Sequence, residues 1–462
     1  MASSAHADTT AALGTRLSEL ITQASLGDGI GIAIADLASG ESVYTQNAST
    51  PRNPASNMKL ITAAAALHEL GADYQMRTTL SGSIGDDGAV DTVVLHGEGD
   101  PSLAFSDLLI AAQRLTALGV RRVDHILVDG SYFDDQVLPP AFDQQPNEIA
   151  TFRAPVSAVS VDRNAFELRL SPGPAVDAPA NVILQCPDHF ALDASVTTAA
   201  KGTPRVYADQ REQGSQLALR VSGEVPIGIR GVGYHRRIAS PLPYAGHCLR
   251  AALRAQNIGG PMEVRVGPSP GGLATLYVHE SAPLSTLLSR VGKNSDNFYA
   301  EMLLKVIGAH ATGRPGSSAA GVRRAKQLLQ SAGVDSDQLK MINGSGLFIG
   351  NAIAPEHFVK VLLLMYRDPA VRAEYVSQLA VGGHDGTLTN RIKDLPAKRI
   401  VRAKTGTLND AIALSGYVLG RSPEQGFAFS FLFNGIAGRQ WQARALADDL
   451  VRALSAVLYG KH

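Results

Sequence analysis

The sequence predicts a multi-domain α/β (α+β) protein in which one antiparallel sheet, flanked by helices, is split in sequence by a long β-rich insert. The chain begins with a hairpin pattern and a helical pattern, and it ends with helices, three strand patterns and a last helix. Short strand patterns separated by Pro and Gly turns occupy the middle. Because strands from both ends can complete one sheet covered by helices on both faces, we expect a layered domain built from the two ends.

Length and composition indicate a globular protein with a substantial core. The 462 residues correspond to about three domains of ordinary size. Hydrophobic residues make up 45% of the chain and charged residues 18%, and 42 basic residues balance 42 acidic ones. No basic stripe occurs, so we expect no nucleic-acid partner. No apolar run approaches the roughly 18 residues that a membrane span needs, so we expect no transmembrane segment.

The N-terminal residues lack the charged and apolar regions of an intact signal peptide. Ala5-His6-Ala7 nevertheless matches the small-x-small end of a signal cleavage site. One hypothesis is a secreted protein whose leader was replaced by an initiator Met; the alternative is a chance match in an Ala-rich chain.

The first elements are a hairpin over residues 29–47, with its turn at Ser39-Gly40, and a helix over residues 55–70. Gly71 is the expected stop of that helix. We expect residues 76–276 to form a β-rich insert of two modules, which helical patterns interrupt at residues 103–118 and 243–255.

Long helical patterns return at residues 281–308, 317–332 and 356–367. Three strand patterns follow, and a helix over residues 440–458 closes the chain. We expect these strands and the first hairpin to share one antiparallel sheet.

The two cysteines, Cys186 and Cys248, are far apart in sequence and lack the spacing of metal ligands. Free cysteine is among the most buried residue types, so we expect two buried, unpaired thiols. A disulfide is the alternative.

A Ser-x-x-Lys motif occurs once in the chain, as Ser56 and Lys59 at the start of a predicted helix. Residues three apart share one face of a helix. A serine hydroxyl is a weak nucleophile until a base takes its proton, and a desolvated, neutral lysine can be that base. We therefore interpret the pair as nucleophile and base. A helix-capping serine beside a solvated lysine is the structural alternative.

Two further motifs are weak individually. Ser295 and Asn297 form a Ser-x-Asn motif at a helical pattern, where the hydroxyl could relay protons and the amide could bind a substrate amide; helix capping is the alternative. Lys404-Thr405-Gly406 lies on a strand pattern, where the lysine and the threonine could bind a carboxylate and the glycine could leave room for substrate beside the backbone. The backbone NH of Thr407 could complete an oxyanion hole with that of Ser56. An exposed edge strand guarded by lysine is the alternative.

In this order and setting, the three motifs resemble those of the penicillin-recognising serine acyl-transferases. The long β-rich insert after the first motif resembles the class C low-molecular-mass penicillin-binding proteins, peptidase family S13, which are D-alanyl-D-alanine carboxypeptidases and endopeptidases. Other stretches are similar to that family as well: "PASNMKLITAAAALHELGADY", "GEGDPSL", "YAGHCLRAAL", "NSDNFYAEMLLK", "NGSGLF", "GGHDGTLTNR" and "AKTGTLNDAIALSGYV".

The resemblance implies a β-lactamase/transpeptidase-like domain over residues 8–76 and 277–462, an inserted domain II over residues 77–102 and 196–276, and an inserted domain III over residues 103–195. It also implies a periplasmic or extracytoplasmic location, possible peripheral association with the membrane or cell wall, and no metal or cofactor. The implied partners are peptidoglycan stem peptides and, as covalent inhibitors, β-lactams.

The resemblance assigns Ser56, Lys59 and Ser295 to catalysis. It assigns substrate binding to Asn297, Lys404, Thr405, Gly406 and Thr407. A β-lactamase, a serine esterase and a non-catalytic cell-wall binding protein of the same fold remain alternatives. We see no positioned Glu that would serve a β-lactamase as deacylating base, and an esterase of this type usually has Tyr where this chain has Ser295.

Three other residues are expected to have structural roles. In the "GGHDGT" stretch, Asp385 is expected to brace its loop, as is Arg391 just after it. Trp441, the single tryptophan, is expected to pack at the start of the last helix.

Overall fold

The computed structural model describes residues 2–460, which form two compact units. The first unit contains the residues up to Tyr74, the short segment Pro140–Gln144 and the residues from Pro283 onward. The second unit contains Gln75–Pro139 and Gln145–Ala282. No sequence pattern indicated that Pro140–Gln144 belongs to the first unit. The division of the insert into residues 77–102 with 196–276 and residues 103–195 stays a prediction.

Helices and strands alternate through both units. Within residues 2–460 the helices are α1 (Ala2–Ala24), α2 (Met58–Leu70), α3 (Phe105–Ala117), α4 (Pro241–Ala255), α5 (Leu284–Gly292), α6 (Asn297–Thr312), α7 (Ser318–Ser331), α8 (Pro355–Arg367), α9 (Arg372–Ser377) and α10 (Gln440–Tyr459). Over the same residues the strands are β1 (Ile30–Asp36), β2 (Ser42–Gln46), β3 (Arg77–Gly82), β4 (Ala89–Gly97), β5 (Arg122–Asp129), β6 (Ala165–Ser171), β7 (Asn181–Leu184), β8 (Phe190–Ala199), β9 (Arg205–Gln213), β10 (Gln216–Pro226), β11 (Val232–Arg237), β12 (Glu263–Val266), β13 (Ala274–Glu280), β14 (Ala380–Val381), β15 (Val401–Leu408), β16 (Ala411–Leu419) and β17 (Gly426–Asn434).

The first unit is built on an antiparallel sheet of order β14-β15-β16-β17-β1-β2. This confirms that the first hairpin and the last three strands share one sheet. Helices α1 and α10 pack together and cover one face, and α8 packs against β1, β16 and β17. Because both faces are covered, β16 and β17 are buried along almost their whole length.

The predicted helix over residues 281–308 is wrong as a single element. The chain breaks between α5, which ends at Gly292, and α6, which begins at Asn297. Ser295, in the break, adopts a left-handed backbone conformation with φ 59°. Asp296 then caps α6, accepting a hydrogen bond from the main-chain NH of Tyr299 (3.3 Å). The break matters because it places Ser295 in a turn instead of on a helix face.

The second unit contains a mixed sheet of order β12-β5-β4-β3-β13 and two smaller sheets, β8-β10-β9 and β11-β6-β7. Helices α3 and α4 pack against each other, and both contact strands of the mixed sheet. Apolar side chains of the two helices and of β3, β4, β5, β6, β8 and β10 contribute to one buried cluster, and partly buried side chains of the other strands pack against it. The unit therefore has its own hydrophobic core.

Cys186 and Cys248 form a disulfide in that core, which corrects the expectation of unpaired thiols. Both residues are buried, as expected. Cys186 precedes a single 3₁₀ turn, Pro187–His189, and Cys248 lies on α4. The bond thus joins two segments separated by 62 residues.

Trp441 does not pack in the core as predicted, since 68% of its surface is exposed. It lies in the first turn of α10, whose buried side chains begin with Ala443. Over the described range 2–460, none of the helices is both long and apolar enough to cross a lipid bilayer.

Replacing both cysteines by alanine should lower the free energy of unfolding of the second unit by about 2–4 kcal/mol, because the cross-link restricts the unfolded chain. Thermal unfolding checks this, with Ser83→Ala, an exposed change in the same unit, as the control. Alkylation of both cysteines in denatured, unreduced protein would contradict the disulfide.

Candidate active site

Ser56 lies in a tight turn immediately before α2. Residues Ala55–Asn57 form a single 3₁₀ turn, and the helix itself begins at Met58. Ala55 has a left-handed φ of 45° and is fully buried, whereas Ser56 is partly exposed. The turn therefore presents the Ser56 side chain to the surface from an otherwise buried segment.

The Lys59 side chain is buried beneath Ser56. Its Nζ lies 3.1 Å from Ser56 Oγ, 2.7 Å from Asn297 Oδ1 and 2.7 Å from the main-chain oxygen of Ser345. A charged ammonium can donate to all three. A neutral amine has two N–H bonds, which the two shorter contacts would take, so that its lone pair would point towards the Ser56 hydroxyl.

Burial lowers the pKa of Lys59 to about 7, against the opposing negative charges of Glu301 and then Asp296. The low-dielectric surroundings disfavour the charged form of a lysine. At neutral pH a substantial fraction of this side chain is therefore an uncharged amine.

A second hydroxyl and amine lie together nearby. Lys404, fully buried on β15, donates from Nζ to Ser295 Oγ and to the main-chain oxygen of Thr405, both at 2.7 Å. Burial lowers the pKa of Lys404 well below its usual value, and the charge of Lys59 lowers it further. Two ammonium groups in one buried pocket repel each other, which disfavours a state with both lysines charged.

Strand β15 carries the remaining predicted residues. Thr405 donates its hydroxyl to Thr387 Oγ1 (2.8 Å), and exposed Thr407 receives a hydrogen bond from Arg444 Nη2 at 3.5 Å. In the described part of the chain, β14 pairs only with Arg402 and Ala403 of this strand. The later part of β15 thus presents an edge that a further extended chain could join.

Asn57 ties the Ser56 turn to this strand. In the amide orientation that pairs both of its polar atoms, its nitrogen donates to the main-chain oxygen of Lys404 (2.9 Å) and its oxygen accepts from the main-chain NH of Ser415 (3.2 Å). Asn57 and Ser415 are both fully buried. The nucleophile turn and the strand that carries Lys404 are consequently held in one arrangement.

Gly406 faces the protein chain. A Cβ at this position would lie 3.0 Å from the Ala55 Cβ, the Pro54 main-chain oxygen and the Ala413 Cβ. The missing side chain therefore makes room for the turn that carries Ser56. Its predicted role in leaving space for substrate stays a prediction.

Sequence reasoning missed two groups that contact the site. The main-chain oxygen of Ser345 accepts from Lys59, and the buried carboxyl of Glu301 accepts from the main-chain NH groups of Gly344 and Ser345. The sequence did carry one indication of Glu301: it is an acidic residue within the apolar run of "NSDNFYAEMLLK", where a charged side chain is unexpected. A main-chain contact such as that of Ser345 leaves no mark in the sequence.

The bracing roles predicted for Asp385 and Arg391 are confirmed. Asp385 accepts from Lys293 Nζ (2.6 Å) and from the main-chain NH of Val381 (2.8 Å), while Arg391 pairs with Asp448 (2.6 Å). Lys293 precedes the turn of Ser295, so Asp385 helps to hold that turn. Across residues 2–460, no three or more His, Cys, Asp or Glu side chains are grouped so as to hold a metal ion.

A serine hydroxyl beside a buried, partly neutral lysine, with a second Ser–Lys pair near enough for the two lysines to interact electrostatically, is the arrangement of an enzyme that works through a covalent serine intermediate. The sequence model of the D-Ala-D-Ala carboxypeptidase 3 (S13) family matches residues 13–457. The chain therefore belongs to this family, which confirms the resemblance of its motifs. It is a hydrolase of the serine peptidase type.

Individual relatives agree with this assignment. A D-alanyl-D-alanine carboxypeptidase from Actinomadura sp. (strain R39) is 34% identical over 425 residues, covering 88% of this chain and 78% of that protein. Penicillin binding protein 4 from Haemophilus influenzae has a crystal structure that matches with a TM-score of 0.77 at 24% identity, covering 94% of this chain and 99% of that one. Its complex with a β-lactam matches with a TM-score of 0.74 at 24% identity, covering 96% and 99%. The two structures confirm the predicted fold class.

Gly406→Ala should destabilise the first unit by about 1–3 kcal/mol, because the new methyl group would overpack the contact with Ala55. Gly14→Ala is the matched control: apart from its chain neighbours and the backbone of its own helix, no atom lies within 4 Å of a Cβ there, and alanine favours a helix interior. Thermal unfolding of both variants checks the prediction, and equal stability of Gly406→Ala and the parent would contradict the packing described for this glycine.

Proposed function

We propose that this protein is a serine D-Ala-D-Ala carboxypeptidase, a D,D-endopeptidase or both, acting on peptidoglycan stem peptides through an acyl-enzyme on Ser56. The observation that carries the proposal is the buried Lys59 amine, 3.1 Å from Ser56 Oγ. Membership of the S13 family supports it, and the Actinomadura relative carries the name of the first activity.

In the acylation step, Ser56 Oγ attacks the carbonyl carbon of the penultimate D-Ala while neutral Lys59 takes the hydroxyl proton. The main-chain NH groups of Ser56 and Thr407 would stabilise the oxyanion. As the C–N bond breaks, Ser295 donates its proton to the leaving nitrogen and is resupplied by Lys404, whose Nζ lies 2.7 Å from its Oγ. Water then releases the acyl group from Ser56.

For substrate binding, we assign the terminal carboxylate to Lys404 and the hydroxyls of Thr405 and Thr407. The free edge of β15 suits an extended peptide, and Gly406 keeps that strand close to the Ser56 turn. Asn297 would bind a substrate amide through the amide group that already contacts Lys59.

The terminal carboxylate of the substrate would also favour the neutral form of Lys59. A negative charge beside Lys404 favours the ammonium form of that lysine, and a charged Lys404 in turn disfavours a charged Lys59. Binding of a C-terminal carboxylate would thus increase the fraction of Lys59 that is neutral and able to accept a proton.

We infer that β-lactams acylate Ser56 in the same way, with ring opening in place of amine release. The Haemophilus influenzae protein, of the same fold, has been crystallised with a β-lactam. The proposed substrates lie outside the cytoplasmic membrane, so we place the protein in the periplasm or another extracytoplasmic compartment.

Ser56→Ala should abolish labelling by fluorescent penicillin and release of D-Ala from monomeric muropeptides, because it removes the hydroxyl that Lys59 contacts. Ser49→Ala, an exposed change in the same unit, should leave both unchanged. Mass spectrometry of products from monomeric and cross-linked muropeptides separates the two activities. Release of D-Ala alone would remove the endopeptidase activity, and full labelling of Ser56→Ala would contradict the proposed nucleophile.

The acylation rate at low benzylpenicillin concentration should rise with pH through about 7, since Lys59 must lose its proton to act as base and burial lowers its pKa to about that value. Below this pH the lysine is protonated and the rate falls in proportion to the neutral fraction. Rate measurements across the range check this, and a rate that stays flat until strongly alkaline pH would contradict the role of Lys59.

A further inference from the structure

A buried carboxyl group close enough to affect the charge of Lys59 has no part in the proposed mechanism. Glu301 lies on α6, one turn after Asn297, and is fully buried. Its Oε2 accepts from the main-chain NH of Gly344 (3.2 Å), and its Oε1 accepts from that of Ser345 (2.7 Å). A buried carboxylate is stable only with such partners, and both of these belong to the loop that reaches Lys59.

The same loop is held from its other side. Thr62 donates its hydroxyl to the main-chain oxygen of Gly344 (2.7 Å). Because a peptide group is planar, holding that oxygen and the NH of Ser345 orients the whole peptide between the two residues. The next carbonyl, that of Ser345, then faces Lys59 Nζ at 2.7 Å.

We propose that Glu301 is a positioning residue, which holds the Ser345 carbonyl against Lys59 and so directs the lysine nitrogen towards Ser56. The inference rests on the proposed role of Lys59 as the base. Neutral Lys59 can offer its lone pair to Ser56 only while its two N–H bonds point elsewhere, and the Ser345 carbonyl takes one of them. Asn297 takes the other.

The charge of Glu301 acts on the same lysine. Burial lowers the pKa of Lys59, and the negative charges of Glu301 and Asp296 oppose this, which leaves it at about 7. Lys404 on β15 is a second cation that interacts electrostatically with Lys59, and Lys305 is buried one turn further along α6. Burial raises the pKa of Glu301 itself, against hydrogen bonds from the loop and the charge of Lys59.

Glu301→Gln tests both effects. The variant keeps the size of the side chain, removes its charge and turns an NH₂ group towards one of the two main-chain NH groups. We expect the rate constant for acylation by benzylpenicillin to fall about 10- to 100-fold, as is typical for losing a hydrogen bond to a charged group. Without the negative charge Lys59 loses its proton more easily, so the rise of the rate should move to lower pH by on the order of one unit.

Two further variants distinguish the effect of Glu301 on the position of the Ser345 carbonyl from the effect of its charge on Lys59. Glu301→Asp keeps the charge but shortens the reach, so its rate should fall while the rise stays at the pH seen in the parent. Thr62→Val removes the neighbouring bond to Gly344 and leaves the carboxylate, so any loss of rate should come without a shift in pH. Thermal unfolding of each variant shows whether it is folded.

A folded Glu301→Gln protein with the rate and pH dependence of the parent would overturn the inference, as would equal slowing at every pH, which a purely structural contact produces. If that variant does not fold, Glu301→Asp with the full rate would overturn it. Absence of any acylation of Ser56 in the parent would instead remove the proposed function, and the positioning role would fall with it.

Discussion

The site depends on the burial of one lysine. An exposed lysine is almost fully charged at neutral pH and cannot accept a proton. Lys59 is enclosed so completely that its pKa falls to about 7, and its nitrogen meets two strong acceptors and one hydroxyl. The two acceptors fix the directions of the N–H bonds of the neutral amine. Its lone pair then points towards the hydroxyl of Ser56. Burial and hydrogen bonding together thus turn an ordinary ammonium group into an oriented amine.

The groups that surround Lys59 come from distant parts of the chain, and the fold brings them together. Helix α2 packs against α6, which contributes Asn297 and Glu301. The amide of Asn57 connects the turn of Ser56 to the strand of Lys404. This part of the first unit is rich in buried polar groups, and each of those described here has a partner, as stability requires. The same buried residues therefore hold these segments together and set the surroundings of Lys59.

Sequence patterns predicted what is local or periodic. The spacing of Ser56 and Lys59 predicted that the two side chains lie together, and they do, although Ser56 lies in the 3₁₀ turn before α2 and not on the helix itself. Alternating or apolar runs located the strands of the main sheet. The apolar periodicity of residues 281–308 continues across the break at Ser295. There the left-handed conformation of Ser295 and the capping residue Asp296 interrupt the helix despite that periodicity. The contacts of Glu301 were not predictable, because its partners are main-chain atoms of a loop far along the chain. Likewise, the spacing of two cysteines does not decide whether they pair.

Lys59 can serve as the base only if its side chain is an uncharged amine over a large part of the neutral pH range. Its ionisation can be followed directly by NMR in protein with isotope-labelled lysine side chains, with the Lys59 resonance assigned by its loss in Lys59→Met. We expect a resonance that titrates near pH 7, because burial lowers the pKa of this lysine to about that value. A Lys59 resonance that stays in its ammonium form up to the alkaline range of free lysine would contradict it.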